Sequence, residues 1–180
     1  MISRMALEHA LLVALCEQPA SGLELTKRFS RSIGYFWSAT HQQIYRVLGR
    51  MDGDGWVSVS EVAQEGRPDK KVYAVTELGR AALADWLAQP TETQSLRSEL
   101  ALKMRAATWG DRGAVLDVVR TNLADHHARL ERYEQLVARD YPDPSILTGL
   151  ELDQYLVLHG GVLMERTWIT WLTEYLEAHA

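Results

Sequence analysis

The chain of 180 residues is 47% hydrophobic and carries one cysteine, Cys16, inside the apolar run A-L-L-V-A-L-C. That content supplies a real core for one domain or two small ones, and no run approaches the roughly 18 apolar residues of a membrane span. The net charge of -5 sits in one half of the chain: residues 1–89 carry 10 Lys+Arg against 10 Asp+Glu, and residues 90–180 carry 9 against 14.

Glu8 and His9 fall where a signal peptide would keep its apolar segment unbroken, so a cytoplasmic protein is expected, with Cys16 a buried small hydrophobe. Leu7, Ala10, Leu11, Ala14 and Leu15 have helical spacing behind a Ser3 cap, and Pro19 with the Ser21-Gly22 turn ends that first helix. A shorter helix over residues 23–32 is expected to bury Leu23, Leu25 or Thr26, Phe29 and Ile33 and to stop at Gly34. After the aromatic run Tyr35-Phe36-Trp37, the stretch Thr40-His41-Gln42-Gln43 fits a capping box, in which the Thr hydroxyl and the Gln side chain each satisfy an unpaired backbone N–H. A third helix therefore starts near His41 and reaches Met51.

D-G-D-G then reads as a turn, and residues 56–62 and 71–75 have the period of two of strands. The loop E-G-R-P-D-K between them makes a hairpin with a charged tip. Thr76 caps a fourth helix to about Leu87, with Leu78, Ala82, Leu83, Trp86 and Leu87 inward, before Gln89-Pro90 breaks it. Beyond that only helices are expected: residues 96–109, a recapping at Gly110-Asp111, a long charged helix over 112–139 ended by Y-P-D-P, and a last helix over 150–178. Gly160 and Gly161 inside the last helix cost about 1 kcal/mol each relative to Ala, which fits a close helix crossing or a kink.

On the third helix, at 100° per residue, Val47, Leu48 and Met51 fall within about 60° of Ile44. Gln42, Arg46 and Gly49 lie on the opposite side, flanked by Gln43, Tyr45 and Arg50. Gln can bond bidentately to adenine, Arg to guanine or phosphate and Tyr to phosphate, while Gly49 lets a duplex approach the backbone. An ordinary solvated face is the alternative, since Gln and Arg are good helix formers. The hairpin with Arg67, Lys70 and Lys71 follows directly, the arrangement of a wing beside a helix-turn-helix. Residues 27–71 hold eight cations against five anions, a modest excess for a nucleic-acid binder, so a single subunit would bind a polyanion weakly.

The stretches A-L-L-V-A-L-C-E-Q-P-A-S-G-L-E-L, F-W-S-A-T-H-Q-Q-I-Y-R-V-L-G-R-M, G-W-V and G-R-P-D-K-K-V-Y-A-V-T-E-L-G-R, with the W-L of the fourth helix, resemble the PadR family of bacterial transcriptional regulators over about residues 5–89. The rest is similar in helix pattern to that family's larger C-terminal domain. The resemblance implies a mainly α protein: a winged helix-turn-helix domain (α-α-α-β-β-α) over 1–89 and an all-helical dimerisation domain over 90–180. It implies a homodimeric repressor that binds a pseudo-palindromic DNA operator, with a small hydrophobic or aromatic effector as a candidate modulator. A winged-helix module that binds protein instead of duplex is the alternative.

Tyr45, Lys70 and Lys71 match the family's DNA-contacting positions; His41, Gln42, Gln43, Arg46, Arg50 and Arg67 complete the expected set. Ser21-Gly22-Leu23 departs from the family's usual His-Gly-Tyr and loses polar groups that could touch phosphate. Tyr45-Arg46 departs from the usual Tyr-Pro and puts a cation at the centre of the reading face. Half-sites about 34 Å apart suit a twofold dimer, for which Leu7 and Leu11 of the first helix and Leu156, Val162, Leu163, Ile169 and Leu172 of the last are expected to supply the surface.

Trp37, Trp109, Trp168 and Trp171, with Trp86, are candidates for lining an aromatic-ligand pocket, although Trp at helical spacing is more often core. Neighbouring His126 and His127 point about 100° apart on a helix, so only one can join Glu131 or Asp125, and both are expected on solvated surface with no metal. No phosphate loop, nucleophile elbow or paired-histidine metal motif occurs, so neither a cofactor nor catalysis is expected.

Overall fold

The computed structural model describes residues 4–31, 39–64, 67–91 and 98–180, apart from the side chains of 4–6, 30–31, 64 and 67–69. The expected Ser3 cap, Ile33 and Trp37 lie outside the described residues. The chain forms two compact units, Met1–Thr93 and Gln94–Ala180. The first contains α1 (Arg4–Glu17), α2 (Gly22–Arg31), α3 (His41–Gly53), β1 (Val57–Gln64), β2 (Arg67–Val75) and α4 (Glu77–Leu87); the second contains α5 (Glu99–Ala106), α6 (Arg112–Asp140) and α7 (Gly149–Glu177).

In the first unit Leu11, Leu12 and Leu15 of α1 meet Leu25 and Phe29 of α2 and Ile44, Leu48 and Met51 of α3 in one enclosed core. Leu25 and Phe29, one turn apart, take the inward side of α2, which leaves Leu23 outside at 53% exposure rather than buried as its hydrophobicity suggested. Likewise Leu78 and Leu87, at the two ends of α4, stand exposed, and Leu83 alone of the expected leucines is buried. The docking point of α4 is Gly79: a Cβ there would collide with the carbonyl oxygen of Trp56, so the missing side chain lets the first turn lie against the chain entering β1.

The third helix absorbs Asp52-Gly53 and ends at an Asp54 cap, with Gly55 at φ 72° making the turn into β1. The hairpin is longer than the alternation indicated, because β2 begins at Arg67, and Arg67 and Lys70 of the expected loop pair with Gln64 and Val62. Its register runs from Val57 opposite Val75 to Gln64 opposite Arg67, with an irregularity between Val62 and Gln64. Ala20 adds a bridge to Tyr73 through hydrogen bonds of 3.1 and 2.9 Å, tying the α1–α2 connection to the wing.

The second unit has a thinner core: Met104 of α5, Val119 of α6 and Leu172 of α7, flanked by half-buried Leu123, Trp168, Trp171 and Leu176. The α7 helix runs unbroken through its glycines; a Cβ at Gly161 would stand 3.2 Å from the Tyr133 ring of α6, so a close helix crossing accounts for it, whereas Gly160 faces open space. His126 corrects the surface expectation. It is buried, stacks on Trp168 at 5.0 Å, and its Nδ1 lies 2.5 Å from Oε2 of buried Glu165, whose Oε1 accepts from Arg129 Nε at 3.1 Å. The partner comes from α7, 39 residues away, and not from the neighbours Asp125 or Glu131. His127 is exposed.

Three of the residues expected on a dimer surface are instead enclosed in their own units: Leu11 at 0%, Val162 at 3% and Leu172 at 0% exposure. They have no area left to offer a second copy. Leu7 and Ile169 are half-buried, and Leu156 and Leu163 are exposed.

Candidate nucleic-acid interface

The outward side of α3 is fixed by its own N-terminus. The Thr40 hydroxyl accepts from Gln43 N at 3.2 Å and the Gln43 side chain accepts from Thr40 N at 2.8 Å, both halves of the expected capping box. With Ile44, Val47, Leu48 and Met51 buried, the side carrying His41, Gln42, Gln43, Tyr45, Arg46, Gly49 and Arg50 is exposed. Gln43 therefore spends its carbonyl on the cap, while Gln42 and Arg46 project without such a role and Gly49 has nothing near it.

Tyr45 is 41% exposed, yet its ring has neighbours on both α2 and α3. Its ring lies on the backbone of Gly22 at the start of α2, where a Cβ would stand 2.5–2.9 Å from three ring atoms, and the His41 ring tilts against its other neighbourhood at 4.5 Å. The serine before Gly22 completes a second capping box: Ser21 Oγ accepts from Glu24 N at 3.3 Å, and Glu24 Oε2 accepts from Ser21 N and Oγ at 2.8 and 2.9 Å. The pattern S-x-x-E was readable in the sequence as a helix start.

Four cations of the expected set have described side chains, and they divide into two pairs. Arg50 is ion-paired with Glu8 of α1, and Lys70 donates to Glu24 Oε1 at 2.7 Å. Arg46 and Lys71 are exposed and carry no ion pair among the described residues, although Lys71 stands opposite Glu61 in the hairpin register. The Lys70 hydrogen bond, followed by that from the Ser21 backbone, lowers the Glu24 carboxyl from 4.5 to about 2. The backbone of Arg67 begins β2, and its side chain lies outside the described residues. Neither carboxylate pairing was legible from the sequence, since Glu8 and Arg50 or Glu24 and Lys70 meet only after the helices and the wing have packed.

The expected pocket residues are dispersed in their environments. Trp109 is 83% exposed on a short turn after α5, Trp168 and Trp171 are half-buried neighbours with rings 5.1 Å apart, and Trp86 stacks on His9 at 4.4 Å in the first unit. An open depression of about 460 Å³ lies along α7, lined by Leu163, Arg166, Thr167, Thr170, Trp171 and Glu174. Among the described residues no group of three His, Cys, Asp or Glu side chains could hold a metal ion, and no helix is long and apolar enough to cross a membrane.

Three helices, a two-stranded wing and a closing helix, with an amide- and guanidinium-bearing third helix turned outward, define a winged-helix DNA-binding regulator. Residues 11–85 match the transcriptional regulator PadR-like family, and residues 96–180 match the virulence activator alpha C-terminal family. The chain is 48% identical over 184 residues to a probable transcriptional regulator of Mycobacterium tuberculosis, covering 97% of each. It is 30% identical to the negative transcriptional regulator PadR of Bacillus subtilis, covering 94% of this chain and 95% of the relative.

Among solved structures, Bacillus subtilis PadR in complex with operator DNA superposes with a TM-score of 0.87 at 25% identity, over 97% of this chain and 98% of that one. The same regulator in complex with p-coumaric acid gives 0.79 at 26%, over 96% and 97%. The Vibrio cholerae virulence activator AphA gives 0.81 at 32%, over 97% and 99%. The protein belongs to the PadR-like family of transcriptional regulators.

Proposed function

We propose that the protein is a homodimeric, cytoplasmic repressor without enzymatic activity, in which α3 reads the major groove of a pseudo-palindromic operator and the wing follows the flanking backbone. The observation that carries this reading is the outward side of α3, where Gln42 and Arg46 project beside a glycine with open space around it. Gln and Arg are the side chains that bond base edges bidentately, and the missing Gly49 side chain permits close approach to a duplex. Tyr45, Lys70 and Lys71 then contact phosphate. The repressor assignment rests on the likeness to the negative transcriptional regulator PadR of Bacillus subtilis, which extends over nearly the whole chain.

Dimerisation uses the apolar exposure of α7, above all Leu156 and Leu163, which stand half exposed. Modulation by a small aromatic ligand rests on the p-coumaric acid complex of PadR and on the adjoining Trp168 and Trp171 rings. Footprinting of the purified protein on random genomic fragments tests the whole. Protected half-sites one helical turn apart, with affinity falling steeply as salt rises, are expected. A shallow salt dependence without a preferred sequence would replace this reading with a protein-binding winged helix.

A further inference from the structure

The charged groups of the interface are arranged so that two of its cations already have intramolecular anions. Lys70 is the more informative, because the carboxylate that holds it is itself locked. Glu24 places Oε2 on the backbone and hydroxyl of Ser21 and Oε1 on the ammonium of Lys70, so both oxygens are engaged and the side chain cannot swing away without giving up the cap of α2. Lys70 comes from β2, 46 residues later, and its side chain remains 30% exposed while its ammonium is already paired.

We propose that Glu24 is a specificity-determining residue that acts as a built-in competitor of DNA phosphate at Lys70. This rests on the reading that the wing meets the duplex backbone. A loosely placed phosphate gains little by approaching an ammonium that a fixed carboxylate already neutralises. A phosphate held in register by the base contacts of α3 can displace or share it. The pair thus penalises random sequence more than the operator, a repulsive element built against the wrong partner.

Glu24→Gln separates the charge from the cap, because Gln also completes a capping box. The probes are a labelled random-sequence duplex and duplexes that the unaltered protein itself enriches from a random pool, each titrated between about 50 and 200 mM salt. Glu24→Gln should bind random duplex about two- to fivefold more tightly, the scale of an exposed ion pair. Its log–log salt slope should steepen by about 0.9, one further phosphate contact. The ratio of enriched to random affinity should fall, and in a Lys70→Met background the same substitution should have little effect.

Weaker binding by Glu24→Gln would overturn the proposal, because Glu24 would then be aiming Lys70 rather than competing for it. Unchanged binding would overturn it too, as would an equal gain with and without Lys70, which is a general field effect. If the unaltered protein shows no salt-dependent duplex binding, the DNA-binding reading itself fails and the competitor has nothing to compete with; that result is visible before any variant is made.

Discussion

The two units solve the packing problem differently. In the first, α1, α2, α3, α4 and the hairpin all send side chains into one enclosed core, and Ala20, Thr76 and Gly79 fasten the connections between them. In the second, two 29-residue helices share a thin core and a buried His126–Glu165 contact, and they leave Leu150, Leu156, Val157, Leu163 and Met164 exposed along α7. A reading helix must be held rigidly if its side chains are to meet fixed base edges, and the first unit supplies that from its own residues. Long helices with an apolar surplus gain stability when something covers it, which is why the dimer is proposed through α7.

Truncating the core of each unit is the strongest way to break this contrast. Leu48→Ala removes a fully enclosed side chain under the outward face of α3 and should cost about 4 kcal/mol, toward the upper end for such a change, because packed helices on every side limit collapse. Chemical denaturation should show the loss, and DNA binding should fall with the folded fraction. Glu165→Ala attacks the second unit through a different mechanism. It strands the imidazole of His126 and the guanidinium of Arg129 without their shared carboxylate, and about 3 kcal/mol is expected, the lower end for a broken buried pair because the Arg129 side chain is 38% exposed to water. If the units melt separately, calorimetry should show the first substitution lowering one transition and the second lowering the other. A Glu165→Ala protein as stable as the parent would mean that this contact adds nothing to the thin core.

What could be read in advance follows from which interactions are local. The capping boxes at Thr40 and Ser21, the buried stripe of α3 and the recapping at Asp111 are written within four residues of themselves, so their patterns are present in the chain, although Ser21-Gly22 by itself reads as a turn. Strand ends were less legible, because Arg67, Pro68 and Asp69 have turn chemistry yet belong to β2, with Arg67 paired to Gln64 of β1. The carboxylate partners of Arg50, Lys70 and His126 come from other elements, and nothing in the spacing of those residues names Glu8, Glu24 or Glu165. Burial of Leu11, Val162 and Leu172 was misassigned to a dimer for the same reason: apolarity marks a side chain for burial without saying by what. The outward side of α3 was legible in full, since helical geometry alone fixes which residues oppose Ile44.

A smaller effect sharpens the contrast inside the first unit, between holding the fold and aiming a side chain. Gly22→Ala places a methyl group where the Tyr45 ring lies, but the ring is the mobile end of a partly exposed side chain and can swing outward. Ala also favours α2 by up to about 1 kcal/mol relative to Gly, which offsets the displacement. The thermal midpoint should therefore barely move, while duplex affinity should drop about tenfold, the lower end for one hydrogen bond to a charged group such as phosphate. Tyr45→Ala should lose about as much, and the two changes together should lose no more than either. Full affinity in Gly22→Ala would show that Tyr45 contributes from any position.

The smallest expected effect concerns the proton on Glu24. Its carboxyl is held at about 2 in the folded chain against 4.5 ordinarily, chiefly by Lys70, so the folded protein binds this proton less readily than the unfolded one. The resulting stability is complete above pH 4.5 and is lost as pH falls toward 2. With the Glu24 side chain 44% exposed, solvent screening keeps it below about 1 kcal/mol. Denaturation midpoints of the parent and Glu24→Gln should differ at neutral pH and converge as the pH approaches 2, because the other carboxylates titrate alike in both and cancel. Lys70→Met removes the largest cause of the depression, so the convergence between it and its own Glu24→Gln derivative should come at higher pH. If the window stays where it was without Lys70, the Ser21 cap and not the wing lysine is what holds this carboxylate ionised.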